Sequence, residues 1–169
     1  ISLELMSEEN SIDVYSFEKE NREYFERSLP PRSAQYFDSE SFKEITRELL
    51  REQENHDVYM HLIRDAQGTM VGRINLSVLE DDRKTAELGY RIGENVTNLG
   101  YASEAVKLVL EKAFTTYGLH KIIAGTATDN LISQRVLLKN GFTFSRIIEN
   151  DFQMHNEWIH TAVFEIRNL

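Results

Sequence analysis

Asn98-Leu99-Gly100-Tyr101-Ala102-Ser103-Glu104-Ala105 follows a strand-like run, Ala86-Glu87-Leu88-Gly89-Tyr90-Arg91-Ile92, and opens an amphipathic helix. Apolar residues recur at Ala102, Ala105, Val106, Val109, Leu110, Ala113, Phe114 and Tyr117, the spacing of a helix with one buried face. A strand, a short loop of small residues and a helix start together aim several free backbone N–H groups at one spot. Those groups and the positive end of the helix dipole favour an anion, above all a phosphate or pyrophosphate. Gly100 and Ala102 let that anion approach the main chain closely.

Gly100-Tyr101-Ala102 after a strand resembles the acyl-CoA loop of the GNAT acetyltransferases, Gln/Arg-x-x-Gly-x-Gly/Ala, with Thr97 standing where Gln or Arg is usual. Ala86-Glu87-Leu88-Gly89-Tyr90 resembles the fourth strand of the RimJ/RimL-type ribosomal-protein alanine acetyltransferase branch. Gly118-Leu119-His120-Lys121-Ile122 resembles the start of its fifth strand. Asn130-Leu131-Ile132-Ser133 with Lys139-Asn140-Gly141-Phe142 resembles the Asn-x-x-Ser…Gly-Phe segment, and all occur in family order. Close matches cover Ala86 to Phe142, and Glu157-Trp158 extends the likeness more loosely. The resemblance implies a single GNAT-type domain over residues 1–169. Its central sheet is mixed, mostly antiparallel and flanked by helices, with fourth and fifth strands that splay apart to admit the acyl-CoA arm.

Composition fits one soluble domain: 169 residues, 41% hydrophobic and 28% charged. No apolar run approaches a membrane span and no secretory signal opens the chain, so no membrane partner is expected and a cytoplasmic location is. The first residue is Ile rather than Met, which leaves open where the natural chain starts. With no cysteine, disulfides, Cys-based metal sites and a Cys acyl-enzyme are excluded. The five histidines are scattered, His155 and His160 lack the spacing of a usual zinc site, and no metal is expected.

The net charge of −9 is uneven. Residues 1–57 hold 15 acidic and 7 basic side chains, the remainder 13 and 12. A basic face for nucleic acid is therefore not expected. The acidic part either favours a cationic partner, such as an amine or basic polypeptide, or simply keeps the protein soluble.

Ser2 to Leu5 reads as a short strand. Ser7 offers a helix cap, and Ile12, Tyr15, Phe17, Tyr24 and Phe25 predict one helix or two short ones, ended by Leu29-Pro30-Pro31. Ser41-Phe42-Lys43-Glu44 fits a capping box for a helix carrying Phe42, Ile45 and Leu49 on one face. Strands at Val58–Arg64 and Thr69–Leu79 flank the turn Asp65-Ala66-Gln67-Gly68. Lys121–Thr126 is a strand, Asn130–Lys139 a helix stopped by Asn140-Gly141, and Phe142–Ile148 with Trp158–Ile166 two closing strands. The order is that of an α+β domain with an antiparallel front half.

Moving an acetyl group from a thioester to an amine requires a held carrier, a polarised carbonyl, a neutral amine and a stabilised thiolate. Acetyl-CoA would lay its pyrophosphate on the main-chain N–H groups of Leu99, Gly100, Tyr101, Ala102 and Ser103, or the loop is a plain strand-to-helix connection. By resemblance, the backbone of Tyr90, Arg91 and Ile92 pairs with the pantetheine arm and lends polarity to the oxyanion. Asn130 touches the carrier arm or caps its helix, roles that are compatible.

Many GNAT enzymes place an acidic tyrosine on this helix, where the alignment gives Leu137. Ser133 is the substitute donor to the leaving sulfur, unless its hydroxyl bonds back to the helix. Glu87, a carboxylate in an apolar strand, is the candidate proton acceptor if burial raises its proton affinity; otherwise it is a salt-bridged or exposed strand residue. Asn21 and Arg22 on the first helices, with Glu149 and Asp151 (and Glu157) around the last strand pair, are candidates for the acceptor amine. Trp158 matches an aromatic of the branch and is expected to pack.

The reading is acetyl transfer by direct attack in a ternary complex. The primary amine is a protein N-terminus first and a small molecule (polyamine, amino acid or antibiotic) second. A noncatalytic acyl-CoA-binding sensor is the rival that Thr97 and Leu137 keep open. A homodimer is a possibility by resemblance only.

Overall fold

A computed structural model describes residues 1–169. The strands are β1 (Ser2–Leu5), β2 (Val58–Arg64), β3 (Met70–Val78), β4 (Thr85–Ile92), β5 (Lys121–Ala127), β6 (Thr143–Met154) and β7 (Glu157–Arg167). The helices are α1 (Ser11–Glu20), α2 (Arg22–Glu26), α3 (Ser39–Glu54), α4 (Tyr101–Thr115) and α5 (Leu131–Lys139). The strands form a seven-stranded sheet in the order β1-β2-β3-β4-β5-β7-β6. β1–β2, β5–β7 and β6–β7 are antiparallel, and β4–β5 is parallel. This is the α+β architecture with a mixed sheet that the sequence predicts.

Two compact units share the chain: residues 1–75 with 90–101, and residues 76–89 with 102–169. In the first, Met6, Val14, Tyr36, Phe42, Met60 and Leu62 form the buried cluster. Tyr36 meets Phe42 edge-on at 5.2 Å, and Tyr15 meets it tilted at 5.0 Å. β2 is buried from Val58 to Ile63, so it reads as an apolar run rather than an alternation. The Asp65 turn forms as expected: Gly68 N–H donates to the Asp65 carbonyl at 3.1 Å, and Asp65 Oδ1 accepts from the N–H groups of Gln67 and Thr69.

Two helix starts differ from expectation: at α1 Ser7 and Asn10 bond each other in a turn before the helix, Asn10 N–H donating to Ser7 Oγ at 3.3 Å, and at α3 a preceding side chain is the acceptor. Ser7 does not cap α1; its N–H donates to Asn10 Oδ1 at 2.8 Å in a turn that precedes Ser11. α3 begins before the Ser41 box, since Asp38 is its N-cap and takes both the N–H and the hydroxyl of Ser41, at 2.9 and 2.8 Å.

In the second unit, α4 buries Ala105, Val106, Val109, Leu110 and Ala113, the face that the periodicity marks. Gly141 ends the α5 segment with φ +87°. β6 runs well past the expected Ile148. Glu149-Asn150-Asp151 reads as a polar loop, but the strand absorbs it as an irregularity between Ile148 and Phe152, with Asn150 at φ 49°. The true hairpin turn is His155-Asn156, both at positive φ (52° and 64°), which matches the twist of the flanking strands.

The β4–β5 ladder is short. Thr85, Ala86 and Glu87 pair with Lys121, Ile122 and Ile123, and no β4–β5 pair follows, although β4 continues to Ile92 and β5 to Ala127.

Candidate active site

The loop into α4 has the backbone of an anion cradle. Asn98 (φ 63°) and Gly100 (φ +82°) are left-handed and bracket Leu99. Alternating handedness of this kind turns successive N–H groups toward one side. Gly100 immediately precedes α4, has no side chain to cap it, and a Cβ there would meet nothing within 4 Å. The Cβ position of Gly100 is thus open, which fits close approach of a phosphate-bearing carrier to its main chain. Ser103 is tied instead: Asn140 Nδ2 donates to its Oγ at 3.2 Å and to the Val136 carbonyl at 2.9 Å, joining the start of α4 to the end of α5. Asn140, read from the sequence only as a helix stop, thus also ties the end of α5 to the first turn of α4.

Asn130 is the N-cap of α5, with Oδ1 accepting from Ser133 N–H at 3.1 Å. Its side chain is exposed, so the cap does not bury the amide. Ser133 sits half-buried on the first turn. Leu137 is 1% exposed. The helix face where a phenol would have to project is therefore turned into the apolar core.

Glu87 departs from its expected setting. It is exposed, between buried Ala86 and Leu88, not the buried strand carboxylate that its neighbours suggest. A strand alternates faces, and the apolar neighbours that suggested a buried carboxylate lie on the other side of β4.

Tyr90, Arg91 and Ile92 are half-buried at the far end of β4, beyond the last β4–β5 pair. The side chain of Arg91 enters a charged cluster that the sequence did not reveal. Glu18 on α1, 1% exposed, accepts from Arg32 Nε and Nη2 (3.1 and 2.8 Å), Arg73 Nη1 (2.9 Å) and Arg91 Nη1 (3.0 Å). Arg73 Nη1 also donates to the Tyr36 hydroxyl at 3.1 Å. Burial alone would push the Glu18 carboxyl up. The hydrogen bond from Arg32 and the charges of Arg73, Arg32 and Arg91 outweigh it and hold the carboxyl below its ordinary value. The one available signal was the pair of arginines inside apolar strands, Arg73 and Arg91; nothing marked Glu18 among the helix acids.

Three acceptor candidates are occupied by the protein. Asn21 donates to the Phe17 carbonyl at 2.9 Å and accepts from Glu94 N–H at 2.9 Å, so its amide fastens the end of α1 to the chain after β4. Arg22 pairs with Glu26 at 2.9 Å and lies over the Phe37 ring, 4.2 Å from its centroid. Asp151 Oδ2 accepts from the Thr161 hydroxyl at 2.7 Å. Glu149 and Asp151 lie within β6, ahead of the hairpin turn. Trp158 is 54% exposed rather than packed. The acidic surplus of the N-terminal part is also partly neutralised along α3, where Glu40, Glu44 and Glu48 pair with Lys43, Arg47 and Arg51.

No group of three or more His, Asp or Glu side chains is arranged to hold a metal, and no helix is long and apolar enough to cross a membrane.

The acetyltransferase (GNAT) domain family matches residues 3–143. A probable N-acetyltransferase of Bacillus subtilis, YjcK, is 29% identical over 168 residues, covering 98% of this chain and 91% of that one. A ribosomal-protein-S5-alanine acetyltransferase from Vibrio fischeri superposes with a TM-score of 0.91 at 18% identity, over 98% of this chain and 92% of that one. A spermidine N-acetyltransferase from Vibrio cholerae, solved with CoA and spermine, does so at 0.82 and 18% identity, over 98% and 94%. The last two likenesses speak to the fold. The family match spans most of the chain, and the chain belongs to the GNAT acetyltransferase family, whose members draw the acetyl group from acetyl-CoA.

Proposed function

We propose that this N-acetyltransferase moves the acetyl group to a primary α-amine by direct attack in a ternary complex, with a protein N-terminus as the acceptor. The observation that carries the carrier half of this reading is the Gly100 loop, left-handed and open before α4. Bound acetyl-CoA supplies the activated acyl carbon. The N–H groups of Leu99, Gly100, Tyr101, Ala102 and Ser103 hold its phosphates, and the main chain of Tyr90, Arg91 and Ile92 holds its amide-rich arm as an added strand would. Asn130 contacts the arm while capping α5. The Ser133 hydroxyl stabilises the leaving sulfur, in place of the phenol that Leu137 excludes. Glu87 receives the amine proton through water.

The exposure of Glu87 supports the choice of acceptor. A carboxylate in water is a weak base toward an ammonium ion. An N-terminal amine, with a pKa of about 7.7–8.0, is partly neutral at physiological pH, whereas an alkyl ammonium such as that of lysine, at about 10.4, is almost fully charged. An α-amine thus needs far less help from the protein.

CoA release followed with a thiol reagent tests this, and a chain without cysteine contributes no background. Turnover with N-terminal peptides and not with spermidine is the expected result. Turnover only with spermidine makes this a small-molecule enzyme, and acetyl-CoA binding without CoA release from any amine makes it a sensor.

A further inference from the structure

Three guanidiniums converge on one carboxylate in the first unit, and their charges do not cancel: Arg32, Arg73 and Arg91 against Glu18 leave two positive charges in excess. The two Glu18 oxygens are already saturated, each with two donors between 2.8 and 3.1 Å. The guanidiniums are not. Arg91 spends only Nη1 on Glu18, keeping Nε and Nη2, and Arg32 keeps Nη1. Phe25, Pro30 and Phe37 wall a small open cleft that Glu18, Arg32 and Arg91 also line, with Arg22 and Glu26, paired to each other at 2.9 Å, completing it. The Arg91 guanidinium lies over the Phe25 ring at 5.0 Å, and the Arg32 guanidinium over Tyr36 at 4.4 Å. Both forks are therefore held in place before any ligand arrives.

Each unmatched charge drawn out of water costs free energy, and this cluster holds two that Glu18 does not match. Here burial and the repulsion of Arg32 and Arg73 push the Arg91 guanidinium below its ordinary range, against the pull of Glu18. A ligand carboxylate would relieve that repulsion.

We propose that this cleft binds a carboxylate of the acceptor, on the free donors of Arg91 and Arg32, so that the enzyme prefers α-amines that carry an acidic group. Arg91 places the site on the same strand segment whose main chain is assigned to the carrier arm. The proposal rests on acetyl transfer as the activity. Its ligand can be the side chain of an acidic residue near a polypeptide N-terminus or the carboxylate of a free amino acid.

Initial rates with paired acceptors separate these sources. The tetrapeptides Ala-Glu-Ala-Ala-amide and Ala-Gln-Ala-Ala-amide differ only in the carboxylate, as do free L-glutamate and L-glutamine in their side chains. Charge-assisted bonds to a fork predict about a tenfold higher kcat/KM for the acidic member of the favoured pair. Arg91→Gln should reduce that ratio to near one. Arg91→Lys, which keeps the charge and loses the fork, should fall between, with circular dichroism confirming that each variant folds. Equal rates within both pairs for the unsubstituted enzyme, or an unchanged ratio in a folded Arg91→Gln, overturn the proposal. Calorimetric titration with glutarate against glutaramide, at fixed ionic strength and without acetyl-CoA, tests the cleft independently of turnover. Glutarate binding that is lost in Arg91→Gln supports the site even if no amine is acetylated, and no glutarate binding overturns it.

Discussion

At the scale of single residues, Glu18 and Gly100 carry opposite burdens. Glu18 is a buried anion on which three cations depend. Glu18→Gln keeps the shape and removes the charge, leaving three guanidiniums crowded in a site of low polarity. Breaking a buried pair in this way costs about 3–5 kcal/mol, so urea unfolding near neutral pH should show a loss of that order. The pH dependence follows from the direction of the shift. A carboxyl held below its ordinary value of 4.5 contributes stability that is fully present above that value and is lost as pH falls through the lower folded value. The gap between wild type and Glu18→Gln should therefore narrow in acid. A gap that stays constant down to pH 3 would mean that the cluster contributes no such linkage. Gly100 contributes through what it lacks. Gly100→Glu sets bulk and negative charge in the open space before α4, and acetyl-CoA binding measured by calorimetry should be abolished. Retained affinity would move the phosphate site elsewhere. The left-handed backbone of Gly100 was legible in the sequence, because a glycine between a strand and a helix start supplies a positive φ without steric cost. The Glu18 cluster was not, because its four members are scattered over α1, the segment after α2, β3 and β4, and a single chain gives no sign of which distant charges meet.

At the scale of elements, the proposed function joins folding and binding in one side chain of α5. Asn130 caps the helix and is exposed beyond it. Asn130→Ser preserves an N-cap hydroxyl but withdraws the amide, so Tm should hardly move while KM for acetyl-CoA rises severalfold. Asn130→Ala removes the cap as well and should lose about 1 kcal/mol of stability. If KM rises only with Ala, Asn130 is a cap and nothing more. α4, with one strong period, and β2, a continuous buried run, were readable with near-correct bounds, since burial imposes each pattern directly. Element ends were less so. α3 starts at Ser39 because Asp38 outcompetes Ser41 as the acceptor, a choice among adjacent polar residues that spacing does not decide. β6 crosses Glu149-Asn150-Asp151 because pairing with β7 resumes beyond the bulge at Phe152, and that pairing is nonlocal.

At the scale of the whole molecule, the charge balance and the local cluster point to different acceptors, and distance reconciles them. The net charge is −9, with most of the surplus in residues 1–57, which taken alone favours a cation. The guanidinium cluster is an excess of positive charge at contact range in that same part of the chain. Fields from exposed charges are screened over a Debye length, about 10 Å at 0.1 M salt, whereas partly buried contacts are screened much less. The overall field thus slows the approach of an anionic acceptor, and the cleft holds it on arrival. Raising ionic strength from low to near-physiological values at saturating acetyl-CoA should then increase kcat/KM for Ala-Glu-Glu-Ala-amide, whose two carboxylates outweigh its α-ammonium, and decrease it for any turnover of spermidine. Salt weakens a long-range repulsion in the first case and a long-range attraction in the second. If both acceptors lost rate together, the attraction at the guanidinium forks would itself be exposed and screened, and burial in the cleft would not be what gives the site its grip.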